Sequence, residues 1–261
     1  MQNYAFSLGG DYFATGHYAR IKTGDTGQVG LLRGIDRSKD QSYVLSLLSQ
    51  SQLKRTLLPL GEMKKEQVLK EAVKLDPALR DREESQDLCF LGSLDYRDFL
   101  VKHAPGTRNP GKILNTEGKT LGIHEGLAFY TIGQRKGIRI AASEPYYVVG
   151  KDVEKNHLIV GFTTQIGKDC ITVVQPSWIA GFPPSPEDSY EVMVRYRTKP
   201  VPAELSSITS GGFRIKLTEK LRDISPGQVA VIYHGEACLG GGVIHHVSSS
   251  EDASGNKGES L

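Results

Sequence analysis

No stretch of this 261-residue chain is apolar for the length that a membrane helix needs, so no membrane association is expected. Cysteine is scarce. Cys89, Cys170 and Cys238 are the only three, an odd number, and no two form a C-x-x-C pair. That excludes a disulfide scaffold and points to a reducing compartment. Charge of one sign is also lacking: the net charge is +2, so any nucleic-acid contact must come from a local basic surface. No arginine or lysine precedes Arg20, unlike an Arg-rich transit peptide. The histidines at 17, 103, 124, 157, 234, 245 and 246 have no zinc-ligand spacing, so no metal site is expected. Neither a Walker A loop nor a Ser-His-Asp arrangement occurs.

What is present is turn chemistry. The 29 glycines and 12 prolines predict a chain rich in short strands, and the length suits one large or two to three small domains. Residues 11–15 read as a short strand that turns out at Gly16-His17. Open α/β sheets place ligands at the carboxyl ends of their strands, although an ordinary strand-to-loop turn gives the same pattern. Only about ten residues precede this strand. If it is the last part of an α/β sheet, the first part is not in this chain.

Residues 18–21 and 29–33 read as a hairpin around Thr23-Gly24-Asp25-Thr26-Gly27. The polar run Arg37-Ser38-Lys39-Asp40-Gln41-Ser42 opens a helical pattern through Tyr43, Val44, Leu47 and Leu48, where it acts as a solvated cap or holds a phosphate. A second helix is predicted over 64–74, ended by Asp76-Pro77, and a third over 95–103. Between them lies Cys89, preceded by a charged and polar run from Asp81 to Asp87. A structural thiol sits inside an apolar run; this one lies at the lip of a polar loop, where it can meet a substrate.

After Pro105-Gly106 the pattern becomes β-like. Strands are predicted over 112–114, 127–132, 146–149 and 158–160, and Gly133-Gln134-Arg135-Lys136-Gly137 sets two cations between glycines. A second β unit follows Cys170, with strands over 171–174, 190–196, 213–217, 228–233 and 237–244. On such a strand Arg195 and Arg197 share one face and Tyr196 the other. That suits RNA contact, and equally a solvated edge strand with a core tyrosine. Cys170 and Cys238 read as buried small residues. The reading is α/β plus β: the C-terminal part of a nucleotide-binding α/β domain with the cysteine loop (1–103), a central β domain (104–168), a C-terminal β-barrel-like domain (169–247) and a disordered tail (248–261).

Six motifs together resemble the tRNA-specific 2-thiouridylases, in that family's order. They are Ala14-Thr15-Gly16-His17-Tyr18-Ala19-Arg20, Lys39-Asp40-Gln41-Ser42-Tyr43, Glu84-Ser85-Gln86-Asp87-Leu88-Cys89-Phe90, Tyr130-Thr131-Ile132-Gly133-Gln134-Arg135-Lys136-Gly137, Arg195-Tyr196-Arg197 and Cys238-Leu239-Gly240-Gly241-Gly242. The resemblance implies a nucleotide-binding α/β domain followed by two β domains. It implies ATP-dependent thiolation of the tRNA wobble uridine at C2. ATP, the co-substrate, adenylates the C2 oxygen, and a cysteine persulfide charged by a sulfur-donor or sulfur-relay protein then delivers sulfur. By position Cys89 matches the persulfide cysteine and Gly16 a residue lining the ATP site. His17, Lys39, Asp40, Gln41, Arg195, Tyr196 and Gln228 match tRNA contacts. The family's Ser-Gly-Gly-Val-Asp-Ser-type pyrophosphate loop and second catalytic cysteine have no counterpart here. Two readings follow: a sulfurtransferase whose N-terminal half is lost from the sequence or supplied by another chain, and a truncated, inactive product that binds tRNA. The resemblance implies a cytoplasmic location for a bacterial source and a mitochondrial or plastid one for a eukaryotic source.

Overall fold

The computed structural model describes residues 1–80, 91, 95–222 and 224–250. The chain divides into two compact units: one comprises Met1–Arg82, Asp169–Glu219 and Pro226–Leu261, the other Glu83–Lys168 and Lys220–Ser225.

The first unit opens with helix α1 (Gln2–Ser7) and strand β1 (Phe13–Ala14). Strands β2 (Ala19–Thr23) and β3 (Val29–Arg33), helices α2 (Ser42–Leu45) and α3 (Gln50–Leu53), strand β4 (Thr56–Leu57) and helix α4 (Lys65–Leu75) follow. β1 and β4 pair in parallel. β2 and β3 form the predicted hairpin, with Gly27 at φ +74° supplying the left-handed residue of its turn. The single helix expected beyond Tyr43 is instead two single turns. Ser49 begins a new helix, accepting at Oγ from the Gln52 N–H while Gln52 Oε1 accepts from the Ser49 N–H. α4 matches the predicted second helix, and its first turn is held by Asp36, whose Oδ2 accepts the Lys65 N–H at 3.0 Å. It stops at Asp76, which Pro77 forces out of the helical region.

The second unit contains helix α5 (Tyr96–His103), capped by Asp95, and strands β5 (Gly111–Asn115), β6 (Thr120–His124), β7 (Tyr147–Asp152) and β8 (His157–Gly161). Their sheet order is β6-β5-β8-β7, with β5 and β8 parallel. The strand predicted over 127–132 does not form. Phe129 and Tyr130 are both buried in the same core, whereas successive strand residues face opposite ways, and Leu127–Phe129 is a 3₁₀ turn. Ile113, Ile138, Val148, Leu158 and Val160 complete that core. His124 lies buried beneath it, and burial depresses its pKa, so the imidazole is held neutral.

The chain returns to the first unit through β9 (Lys168–Trp178), β10 (Tyr190–Met193), β11 (Val201–Ser206), β12 (Gly212–Leu221), β13 (Val229–His234) and β14 (Ala237–Ser248). These six close into a barrel in the order β13-β10-β11-β12-β9-β14, with β14 pairing back onto β13. β11 alternates buried and exposed residues throughout. Its Pro202, a strand-breaking signal, occupies an exposed position. β14 crosses between β13 and β9 so closely that a Cβ on Gly241 would strike the Ala230 carbonyl oxygen. One on Gly242 would come within 2.7 Å of both Val173 Cγ1 and the Val174 oxygen. The glycine run of the last motif is thus a requirement of barrel closure. β14 also carries β3 on its outer edge, Cys238 opposite Leu31 and Ala237 opposite Leu32, so the hairpin extends the barrel sheet to eight strands. Ala19, Leu31, Leu53, Val231, Tyr233 and Cys238 share one core. The architecture is therefore α/β plus β, as the sequence predicts.

Candidate nucleic-acid interface

The first unit gathers segments far apart in sequence onto one face. Gln41 fastens the 36–42 loop to the start of β2: its N–H donates to the Tyr18 carbonyl at 2.8 Å, and its Oε1 accepts the Tyr18 N–H at 3.0 Å. Asp40 is turned inward. Its Oδ1 accepts from the Gly34 and Ser42 N–H groups at 2.8 and 3.2 Å, and its Oδ2 from Ser42 Oγ at 2.8 Å. Ser42 in turn meets the Tyr233 hydroxyl in the core. Both side chains are thus spent on shaping the loop. Lys39 follows an Asx turn at Asp36, whose pKa is lowered by the Lys65 N–H and the Ser38 hydroxyl and, more weakly, by the Lys39 charge.

That loop delivers Tyr43 to the barrel. The Tyr43 hydroxyl donates to the Val229 carbonyl at 2.7 Å, and its ring lies 6.1 Å from that of Tyr196, tilted by 34°. Burial raises the Tyr43 pKa, opposed by the Arg195 charge, so the phenol stays protonated. Arg195, Tyr196 and Arg197 are not on a strand. β10 ends at Met193, and Arg197 sits at φ +64° in the turn that reverses the chain into β11. The Thr198 hydroxyl closes this turn onto the Arg195 carbonyl at 2.6 Å. The alternation expected of a strand is therefore replaced by a turn that leaves Arg195 and Arg197 exposed and packs the Arg197 guanidinium 5.4 Å from the centre of the Tyr196 ring. Gln228 adjoins Val229, and among the described residues its buried Oε1 has no hydrogen-bond donor. A buried amide oxygen without a partner is uncommon and is satisfied by water or a ligand.

Gly16 and His17 stand at the end of β1. His17 Nδ1 lies 3.0 Å from Thr15 Oγ1. An added Cβ on Gly16 would meet only Leu60 Cδ1, at 3.5 Å, an ordinary contact. The fold itself therefore does not demand glycine there. Cys89 lies outside the described residues. Cys238 is buried and its thiol is pushed up to about 12 by burial, which makes it inert. Cys170 is half-buried, its pKa also raised by burial.

Sequence reasoning missed Tyr43 as the residue that joins the two segments; its place in the Lys39-Asp40-Gln41-Ser42-Tyr43 motif was the available signal. It also missed the buttress of this face. Arg33 lies 4.1 Å over the Tyr233 ring and donates to Glu191 at 2.9 Å, and Arg20 and Arg37 both pair with Glu236.

Residues 1–93 match the family described as tRNA methyl transferase HUP domain, residues 97–162 the tRNA methyl transferase PRC-barrel domain and residues 168–244 the aminomethyltransferase beta-barrel domain. Among curated relatives, the tRNA-specific 2-thiouridylase MnmA of Chloroflexus aurantiacus is 42% identical over 240 residues, covering 92% of this chain and 67% of the relative. The protein of the same name from Nostoc punctiforme is 45% identical over 244 residues, covering 92% and 69%. That of Lysinibacillus sphaericus is 38% identical over 253 residues, covering 95% and 67%. The chain thus spans about two thirds of the length of these relatives.

Proposed function

The chain belongs to the tRNA-specific 2-thiouridylase family, a family of tRNA sulfurtransferases, and from that premise we propose that it replaces the C2 oxygen of a tRNA wobble uridine with sulfur. The observation that carries this reading is the meeting of Tyr43, at the end of the 39–43 loop, with Tyr196 and the Val229 carbonyl, within reach of the Arg195 charge and next in chain to Gln228. Lys39, Asp40, Gln41, Arg195, Tyr196 and Gln228 are the residues whose positions match the family's tRNA contacts. Exposed guanidinium groups pair with phosphate oxygens in a fork geometry, and tyrosine rings offer faces for unstacked bases.

Asp40 and Gln41 act as positioning residues, since their side chains hold the loop rather than face outward. Lys39, Arg195 and Tyr196 meet the RNA, and Gln228, whose Oε1 is buried in the free chain, joins them when tRNA binding uncovers it. Cys89 carries the sulfur as a persulfide received from a donor protein. Once its outer sulfur has bonded to C2 and AMP has left, a second thiol from outside the described residues or from an added dithiol breaks the S–S bond to Cys89, taking up the oxidation as a disulfide. A thiol alone is a few per cent ionised at neutral pH, and charging it as a persulfide supplies a better nucleophile. ATP supplies activation of the C2 oxygen, which otherwise leaves poorly. Gly16 lies just past the carboxyl end of a parallel strand, where only Leu60 Cδ1 lies within 4 Å of an added Cβ, which supports a nucleotide approaching there that a larger side chain would obstruct.

The test incubates the full chain with tRNA, ATP, a cysteine desulfurase, cysteine and dithiothreitol as the reducing thiol, and measures 2-thiouridine by mass spectrometry of digested tRNA. Thiolation is expected, with loss in Cys89→Ser, while Arg195→Ala raises the Kd for tRNA about tenfold. Gly16→Val is expected to leave the melting temperature unchanged and to abolish ATP-dependent thiolation. Retention of tRNA with no thiolation in the complete mixture would replace this proposal with a tRNA-binding product that does not transfer sulfur.

A further inference from the structure

The second unit holds a pocket of about 350 Å³ whose walls include Arg97, Glu125, Tyr130, Gly137 and Arg139. Arg97 projects from α5 with its guanidinium carbon 5.3 Å from the centre of the Phe129 ring and 5.9 and 6.0 Å from those of Tyr96 and Tyr130. Its Nε donates to the Tyr96 hydroxyl at 3.2 Å, which orients the planar fork. Gly137 permits this approach: its φ is +85°, and an added Cβ would lie 3.3 Å from Arg97 Nη2.

Glu125 is the carboxylate between two guanidinium groups, 3.5 Å from Arg97 and 3.7 Å from Arg139. Both distances exceed those of good N–H···O bonds, so Glu125 saturates neither fork. Arg139 is held at φ +57° with its side chain 79% exposed, a backbone cost that a non-glycine residue bears where surroundings or function require it. Arg135 and Lys136, on the glycine-flanked loop beside the pocket, are exposed and form no ion pair among the described residues. Two guanidinium groups thus share one carboxylate at the pocket and two further cations stand on the adjoining loop, an excess of positive charge that an anion would offset.

We infer that this pocket binds the phosphodiester backbone of an RNA, and that it is a second tRNA contact separate from the face built by Tyr43 and Arg195. The inference rests on the tRNA reading above. Guanidinium planes packed on aromatic rings, with little apolar surface in the walls, suit a phosphate chain. A protein partner would need an apolar centre to dock on.

The test measures unfractionated tRNA binding to the full chain by fluorescence anisotropy across a salt series. Arg139→Gly, which also relieves the left-handed backbone, and the double variant Arg135→Gln with Lys136→Gln are each expected to weaken binding about three- to tenfold. The log–log salt slope should fall by about one per cation removed. Glu125→Gln is expected to tighten binding about twofold, an effect that loss of fold cannot produce. If all three leave affinity and slope unchanged while Arg195→Ala weakens binding, the pocket assignment fails and the tRNA reading stands. If the unmodified chain retains no tRNA, both fail. If tRNA binding is unchanged but polyglutamate binding depends on Arg139, the pocket serves an acidic protein and the RNA assignment is overturned.

Discussion

Asp169 is buried at the start of β9, and its charge is kept by three donors. Burial alone would raise its pKa, but Lys216 Nζ at 2.6 Å, Ser250 Oγ at 2.7 Å and the Ser250 N–H at 2.7 Å outweigh it, and the carboxyl is held well below the usual range. Because the folded pKa is depressed below the ordinary 3.8, the stabilisation is fully present above that value and is lost as pH falls through the folded one. Asp169→Asn is therefore expected to lower stability at pH 7 by about 1–3 kcal/mol. The difference from the unmodified chain should narrow below about pH 4, as urea unfolding at both pH values will read. The same contact pins residues that the sequence assigned to a disordered tail: β14 runs to Ser248 and Ser250 is bonded, whereas 251–261 lie outside the described residues. Nothing in a Ser-rich stretch announces a partner 81 residues away. Local composition reads solvation well and long-range capping poorly.

At the scale of elements, what was legible followed periodicity. The β2–β3 hairpin, α4, α5 and β13 came through because turn residues and apolar spacing agreed. The misreadings share a cause, a residue whose local signal differs from its place in the sheet. Pro202 hid β11, and the alternating Arg195-Tyr196-Arg197 resembled a strand although it is a turn. The Gly240-Gly241-Gly242 run was legible as a motif, but its reason was not. It admits the backbones of β13 and β9 at distances no Cβ allows. Gly241→Ala is accordingly expected to cost about 1–3 kcal/mol through forced displacement of β13, visible as a fall in melting temperature. Below the transition, tRNA affinity should fall as well, because the displaced Ala230 adjoins Val229, whose carbonyl anchors Tyr43 at 2.7 Å. Unchanged affinity at full folding would mean that the displacement of β13 stops short of Val229.

On the scale of the molecule, chain order and packing diverge. The sequence separates a helical first part from a β-rich remainder, and nothing in residues 29–33 declares that they will lie beside residues 237–238. Yet β3 is held to β14, and Leu31, fully buried, sits in one core with Val231, Tyr233 and Cys238. The 36–42 loop hangs from that hairpin through Tyr18 and Gln41, so the candidate interface depends on the hairpin staying docked. The second unit has its own core around Ile113, Val148 and Leu158. Leu31→Ala removes a side chain from the shared core and should cost about 2–5 kcal/mol. Its effect should cross the sequence gap: amide hydrogen exchange is expected to speed in β2, β3, β13 and β14 together, with β5, β7 and β8 unchanged. tRNA affinity should fall as well, because Tyr43 loses its fixed place against Tyr196. Faster exchange confined to β2 and β3 would mean that the hairpin opens alone, and that the barrel, rather than the joined sheet, is the cooperative unit.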